Sequence, residues 1–207
     1  YSLDNLTYRG TSPAALWDFL VGSATTIEPY ALISSGETCN ACHEDMLFHG
    51  GSRRGFDTCI QCHGNAGGED TPRYLTATTP ATPGASIQFR RMLHGIHAGS
   101  SLGNPLAFQI NSATFENVVF PAMPGGVRHC DKCHGTSTAW QLPADRNHPT
   151  AQGAPVRGWN VACGSCHNGD PAQAHIDIMT SGRGVESCEV CHGEGGDFNV
   201  RIVHLPR

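Results

Sequence analysis

The sequence predicts a fold of low regular secondary structure, with short α-helices and loops wrapped around large apolar groups that are not side chains. Three observations predict it. Leu, Ile, Val and Phe number 39 of 207 residues, just under the roughly one-fifth share expected of an ordinary folded chain. Twenty-five Gly and 13 Pro favour turns and irregular backbone over long elements. Ten Cys are present, and all ten fall in repeats of one short pattern. The first two observations exclude a compact α/β enzyme with a generous aliphatic core. A solvated disordered tail is excluded as well, because the formal net charge is only −5 and charged residues are 15%. Something other than aliphatic side chains fills the interior.

The cysteine pattern says what that is. The five copies are Cys39-Asn-Ala-Cys42-His43, Cys59-Ile-Gln-Cys62-His63, Cys130-Asp-Lys-Cys133-His134, Cys163-Gly-Ser-Cys166-His167 and Cys188-Glu-Val-Cys191-His192. Cys-x-x-Cys-His is the attachment sequence of c-type haem. Two thiols three residues apart lie on one face of a helical turn, where each can bond a haem vinyl group. The His that follows then sits under the iron as the proximal axial ligand. Zinc would pair the Cys units into two four-thiolate sites, leave one pair over, and need no His after each. Redox Cys-x-x-Cys motifs belong to a βαβ context that this chain lacks. Five coincidental His placements have a probability of roughly 10⁻⁶. The fold class is therefore multihaem cytochrome c, with five covalently attached haem c groups. Their proximal ligands are His43, His63, His134, His167 and His192.

Seven further His are available as second axial ligands: His49, His94, His97, His129, His148, His175 and His204. Five haems need five. A haem with two protein ligands has no place for substrate and only passes electrons, whereas an open position allows binding and reduction of a small molecule. His49 lies only six residues past His43, so it is expected to serve a neighbouring haem. His94 and His97 share one face of a helical turn and are expected to serve two haems packed near each other. His129 directly precedes a motif and His148 sits in a Pro-bounded polar loop, so both read as surface or supporting residues. With His in surplus, Met46, Met92, Met123 and Met179 read as packing or surface residues.

Several phrases around the motifs carry a resemblance. They are Leu47-Phe48-His49-Gly50-Gly51, Met92-Leu93-His94-Gly95-Ile96-His97, Val118-Val119-Phe120-Pro121, Ala174-His175-Ile176 and Val203-His204. Together, from about Cys39 to His204, they resemble the pentahaem modules of the OmcA/MtrC outer-surface multihaem cytochromes. The resemblance implies distal iron ligands at His49, His94, His97, His175 and His204. It also implies electron transfer outside the cytoplasm to an external acceptor, with other cytochromes or redox proteins as partners and no catalytic residues. Two alternatives stand beside it: a subunit that associates with its own kind into a haem filament, and a multihaem reductase with an open haem.

The remaining expectations concern organisation. Residues 1–36 form a haem-free arm and 37–207 the pentahaem domain. Ser12-Pro13 looks like an N-cap and first helical residue, and Ala14–Val21 like a short helix. Gln88–His97 reads as helical and Phe108–Phe120 as the best strand. Thr71–Gly84 and Asn147–Pro155 read as loops, and Asn5-Leu6-Thr7 as a weak glycosylation sequon. Short intervals between the first two and the last two motifs suggest closely packed pairs at each end. A single Lys, Lys132, and 12 Arg stand against 18 acids, so no basic patch for nucleic acid is expected. No run of about 18 apolar residues predicts a membrane span. Tyr1 reads as the start of a mature, exported chain after signal removal, placed at the cell surface, outside the cell or in the periplasm.

Overall fold

The computed structural model describes residues 2–3, 8–9, 11–27, 34–63, 84–136, 138–141 and 158–205. The described helices are short: α1 (Gly36–His43), α2 (Phe56–His63), α3 (Phe89–Ala98), α4 (Asp131–His134), α5 (Gly158–Cys163), α6 (Asp170–Ile178), α7 (Glu189–His192) and α8 (Val200–His204). Three antiparallel hairpins of two-residue strands accompany them: β1 (Ser2–Leu3) with β2 (Tyr8–Arg9), β3 (Leu47–Phe48) with β4 (Arg53–Arg54), and β5 (Gln109–Ile110) with β6 (Ala113–Thr114). Among the described residues no helix is long and apolar enough to cross a membrane.

Side chains supply little of the interior. Among the described residues eight apolar side chains are buried, while seventeen large ones are exposed. Six of the eight form two small clusters. Met46, Phe56 and Ile60 pack with Cys39 and Phe89 beside the first two motifs. Ala98, Leu102 and Phe108 pack with Ile96, Phe115 and Cys166 beside the fourth. Met46, read from sequence as a packing or surface residue, is buried in the first cluster.

Local chemistry explains where the helices start. Ser35 and Thr38 form a reciprocal capping box on α1: Ser35 Oγ accepts from Thr38 N–H at 3.3 Å, and Thr38 Oγ1 accepts from Ser35 N–H at 3.2 Å. Two orphan donors are satisfied at once. Glu186 does the same for α5 from a distance, its carboxylate accepting from Trp159 N–H at 3.1 Å and Asn160 N–H at 2.6 Å. A carboxylate at a helix N-terminus also complements its positive end.

The helix expected over Ala14–Val21 does not form. Residues 11–21 have no regular secondary structure, and Trp17 is 85% exposed. The start of the segment is pinned in another direction. Ala14 N–H donates to Thr58 Oγ1 at 3.0 Å, Arg54 donates to Thr11 O at 3.4 Å, and Pro13 packs on Gly55. An eight-residue helix does not hold itself in water without a partner for its apolar face, and Leu16, Phe19, Leu20 and Val21 have none. The strand expected over Phe108–Phe120 is also smaller than its pattern. It is broken at Asn111, whose φ of 53° turns the chain back into the β5–β6 hairpin. The expectation for α3 holds, shifted by one residue.

Gly95 on α3 shows how closely the elements approach. A Cβ there would stand 2.2 Å from the Phe108 ring, and Phe108 is buried. Gly95→Ala therefore has to expel the ring or bend α3. A loss of about 1–3 kcal/mol of stability is expected from such overpacking, measurable by denaturant titration, while Gly182→Ala, with open space around it, has no such clash.

Candidate functional site

Each Cys-x-x-Cys-His segment closes one helical turn. His134, His167 and His192 donate their backbone N–H to Cys130 O at 2.9 Å, Cys163 O at 2.8 Å and Cys188 O at 2.9 Å. The first two motifs end α1 and α2. None of the ten cysteines is joined to another in a disulfide.

The imidazoles of these turns do not stand alone. The ring centre of His43 lies 6.0 Å from that of His97, and His63 lies 6.1 Å from His49. His134 lies 6.1 Å from His94, His167 lies 6.0 Å from His204, and His192 lies 6.2 Å from His175. Every motif His thus faces one His from outside the motifs. The five outside residues are the five singled out in the sequence. The pairing, which the sequence left open, is crossed. His49 faces the second motif rather than the first, and His94 and His97 face two different motifs. A metal–imidazole bond is about 2 Å and the ring centre lies about 1 Å behind the nitrogen, so two imidazoles sharing one metal hold their centres roughly 6 Å apart.

The ring nitrogens are oriented by the backbone. His63 Nδ1 bonds Ile87 O at 2.8 Å, His97 Nδ1 bonds Leu93 O at 2.8 Å, His192 Nδ1 bonds Phe198 O at 3.0 Å, and His204 Nδ1 bonds Val200 O at 2.7 Å. A carbonyl can only accept, so the proton sits on Nδ1 and Nε2 keeps its lone pair for a metal. His94 is held neutral by another route. Burial, aided by His134, Arg90 and His97, lowers its pKa to about 4. His49 adopts a φ of 54° at the tip of the β3–β4 hairpin, an uncommon conformation for a side chain other than Gly. That turn aims it across to α2. Aromatic rings flank the pairs: Phe48 and Phe120 at His43 and His97, Phe89 at His63, Trp140 at His134, and Phe198 at His192.

The thiols fit covalent attachment better than metal binding or disulfide exchange. Burial raises the pKa of Cys39, Cys59, Cys133 and Cys188, and pushes Cys130 and Cys166 to about 11 and Cys163 to about 12. Zinc ligands and redox cysteines need the opposite shift. Among the described residues no cluster of three or more His, Cys, Asp or Glu could hold a metal ion; a group that brings its own equatorial donors would ask only two axial imidazoles of the chain. Haem is such a group, and the residues fit it: two thiols and one imidazole on each turn, a second imidazole opposite, and aromatic walls.

Neighbouring thiols also report the order of the sites in space. Cys39 adds to the rise at Cys59, Cys39 and Cys42 to that at Cys133, Cys130 to that at Cys166, and Cys188 to that at Cys163. Helix contacts agree: α1 packs on α2 and α4, and Ser34 Oγ donates to Cys133 O at 2.6 Å. The motifs therefore run second, first, third, fourth, fifth. His129 is placed apart from the pairs, its Nδ1 on Pro124 O at 3.1 Å. His148, the Asn147–Pro155 loop, the Thr71–Gly84 loop apart from Gly84, and the sequon lie outside the described residues.

These features define the class as c-type cytochromes. More particularly, a family model described as outer membrane cytochrome MtrC/MtrF-like, domains II/IV, matches residues 31–205. The chain belongs to that family. Membership implies covalently attached haem c and an electron-carrying role at the cell exterior rather than a classical enzymatic one. No curated protein sequence matches the chain.

Sequence reasoning missed the supports. Asn199 is one: its Oδ1 accepts from Arg201 N–H at 2.9 Å while its Nδ2 donates to Gly193 O at 2.9 Å. It caps α8 and ties it to the turn after the fifth motif, setting where His204 stands. An Asn before a short helix was the available signal. Asn199→Ala is expected to cost about 1–2 kcal/mol in denaturant unfolding, and Asn199→Asp, which keeps the accepting oxygen, less.

Proposed function

We propose that the chain carries electrons outside the cytoplasm, toward an external acceptor, through five haems each held by two imidazoles. The observation that carries this reading is the set of five separate His–His pairs at 6.0–6.2 Å, each containing one Cys-x-x-Cys-His imidazole. In this reading Cys39 and Cys42, Cys59 and Cys62, Cys130 and Cys133, Cys163 and Cys166, and Cys188 and Cys191 hold the haems by thioether bonds. His43, His63, His134, His167 and His192 are the proximal iron ligands. His97, His49, His94, His204 and His175 are the respective distal ones.

Bound haem supplies reversible one-electron chemistry at iron. The chain's own residues do the rest. Both imidazoles of each pair stay in place in either oxidation state, so little has to move when an electron arrives. The Nδ1–H bonds to Ile87, Leu93, Phe198 and Val200 carbonyls hold four rings in the ligating tautomer. Phe48, Phe89, Phe120, Trp140 and Phe198 set aromatic rings beside four of the pairs. The spatial order second, first, third, fourth, fifth supports a continuous path from one end of the domain to the other. With two imidazoles at every site, no axial position is left for substrate, which disfavours a reductase.

Intact mass and the ferric optical spectrum test this reading. The mass is expected to exceed the polypeptide by five haems, all low-spin. His49→Ala is expected to turn one haem of the five high-spin, whereas His129→Ala changes nothing. A smaller mass, or a His49→Ala protein that stays fully low-spin, would overturn the assignment.

A further inference from the structure

Arg91 occupies the junction of the third and fourth motifs. It lies on α3 one turn before His94, on the same side of the helix, and His94 faces His134 of the third motif. Arg91 Nη1 stands 3.5 Å from where a Cβ would be on Gly164, inside the fourth motif. Cys166 of that motif lies against the same helix, its Sγ 3.9 Å from His94 O. The guanidinium is thus wedged between two sites that neighbour each other through Cys130 and Cys166.

What it lacks is a counter-charge. Among the described residues the Arg91 side chain has no hydrogen bond and no ion pair, whereas exposed Arg54 is paired with Asp45 at 3.1 Å. Arg91 is half-buried, and burial alone pulls its pKa down. Arg does not give up its proton in a protein, so the charge persists. A partly desolvated, unpaired cation is unfavourable until something nearby becomes more negative.

We infer that Arg91 is the residue that raises the reduction potential at the junction of the third and fourth haem sites. The inference rests on the five-haem reading. Reduction there adds one electron from the neighbouring site, turning ferric to ferrous iron, with both imidazoles retained and no proton taken up. The site becomes one charge more negative. A fixed positive charge beside it favours that form, and the surroundings screen it less than water would.

Potentiometric titration of the haem-loaded protein tests this with Arg91→Met, Arg91→Lys and, as a surface control, Arg54→Gln. With five haems retained by mass and all low-spin, Arg91→Met is expected to move one or two of the five one-electron steps to lower potential. That shift persists in molar salt, because a half-buried charge is poorly screened. Arg91→Lys keeps the steps near their original values, and Arg54→Gln moves none. If Arg91→Met loses haem, Arg91→Gln serves for the same comparison. Unchanged steps, or an equal fall of all five, would overturn the role of Arg91. A haem count below five in the unaltered chain would instead sink the reading beneath it.

Discussion

Two imidazoles brought within 6.0–6.2 Å of each other, one from a Cys-x-x-Cys-His turn and one from elsewhere, form the interaction on which the rest of the fold depends. It is repeated five times. Three of the pairs, His43 with His97, His94 with His134 and His167 with His204, join segments far apart in sequence. A group that bridges such a pair closes a long loop, and each closure removes freedom from the unfolded chain. The eight apolar side chains buried among the described residues form no core large enough to do this. In the five-haem reading, the composition that looked too poor to fold is that of a chain whose interior is completed by cofactor.

Helix α3 is where this constraint is densest. It carries His94 and His97 for two different motifs, Arg91 against a third, and Gly95 beneath Phe108. Its end is equally constrained. Gly99 has a φ of 41°, and a Cβ there would lie 2.4 Å from Val118 O, so only glycine lets the chain leave the helix at that point. Small residues at Gly95 and Gly99 are thus the reason two imidazoles can share ten residues of helix. The same crowding places the Arg91 guanidinium, unpaired among the described residues, between the third and fourth motifs.

The motif turns and the set of ten paired His were legible in the sequence because they depend on spacing over a few residues. So was α3, whose boundaries moved by one residue. The crossed pairing was not legible. That His49 reaches His63 depends on a φ of 54° at a hairpin tip, and that His97 reaches His43 depends on where the end of α3 stands against the end of α1. The helix expected over Ala14–Val21 failed for the reverse reason. Its local pattern was good, but contacts to Thr58, Arg54 and Gly55 set the chain's course and its apolar side chains stay exposed. Glu186, Asn199 and Arg91 act across distances that no local pattern reports.

Locating the irons in crystals of the haem-loaded protein, by anomalous scattering at the iron edge, tests the central claim most directly. The account predicts five iron peaks, each midway between one of the pairs His43 and His97, His63 and His49, His134 and His94, His167 and His204, and His192 and His175. An iron held by any other pair, or by a single imidazole, would contradict it.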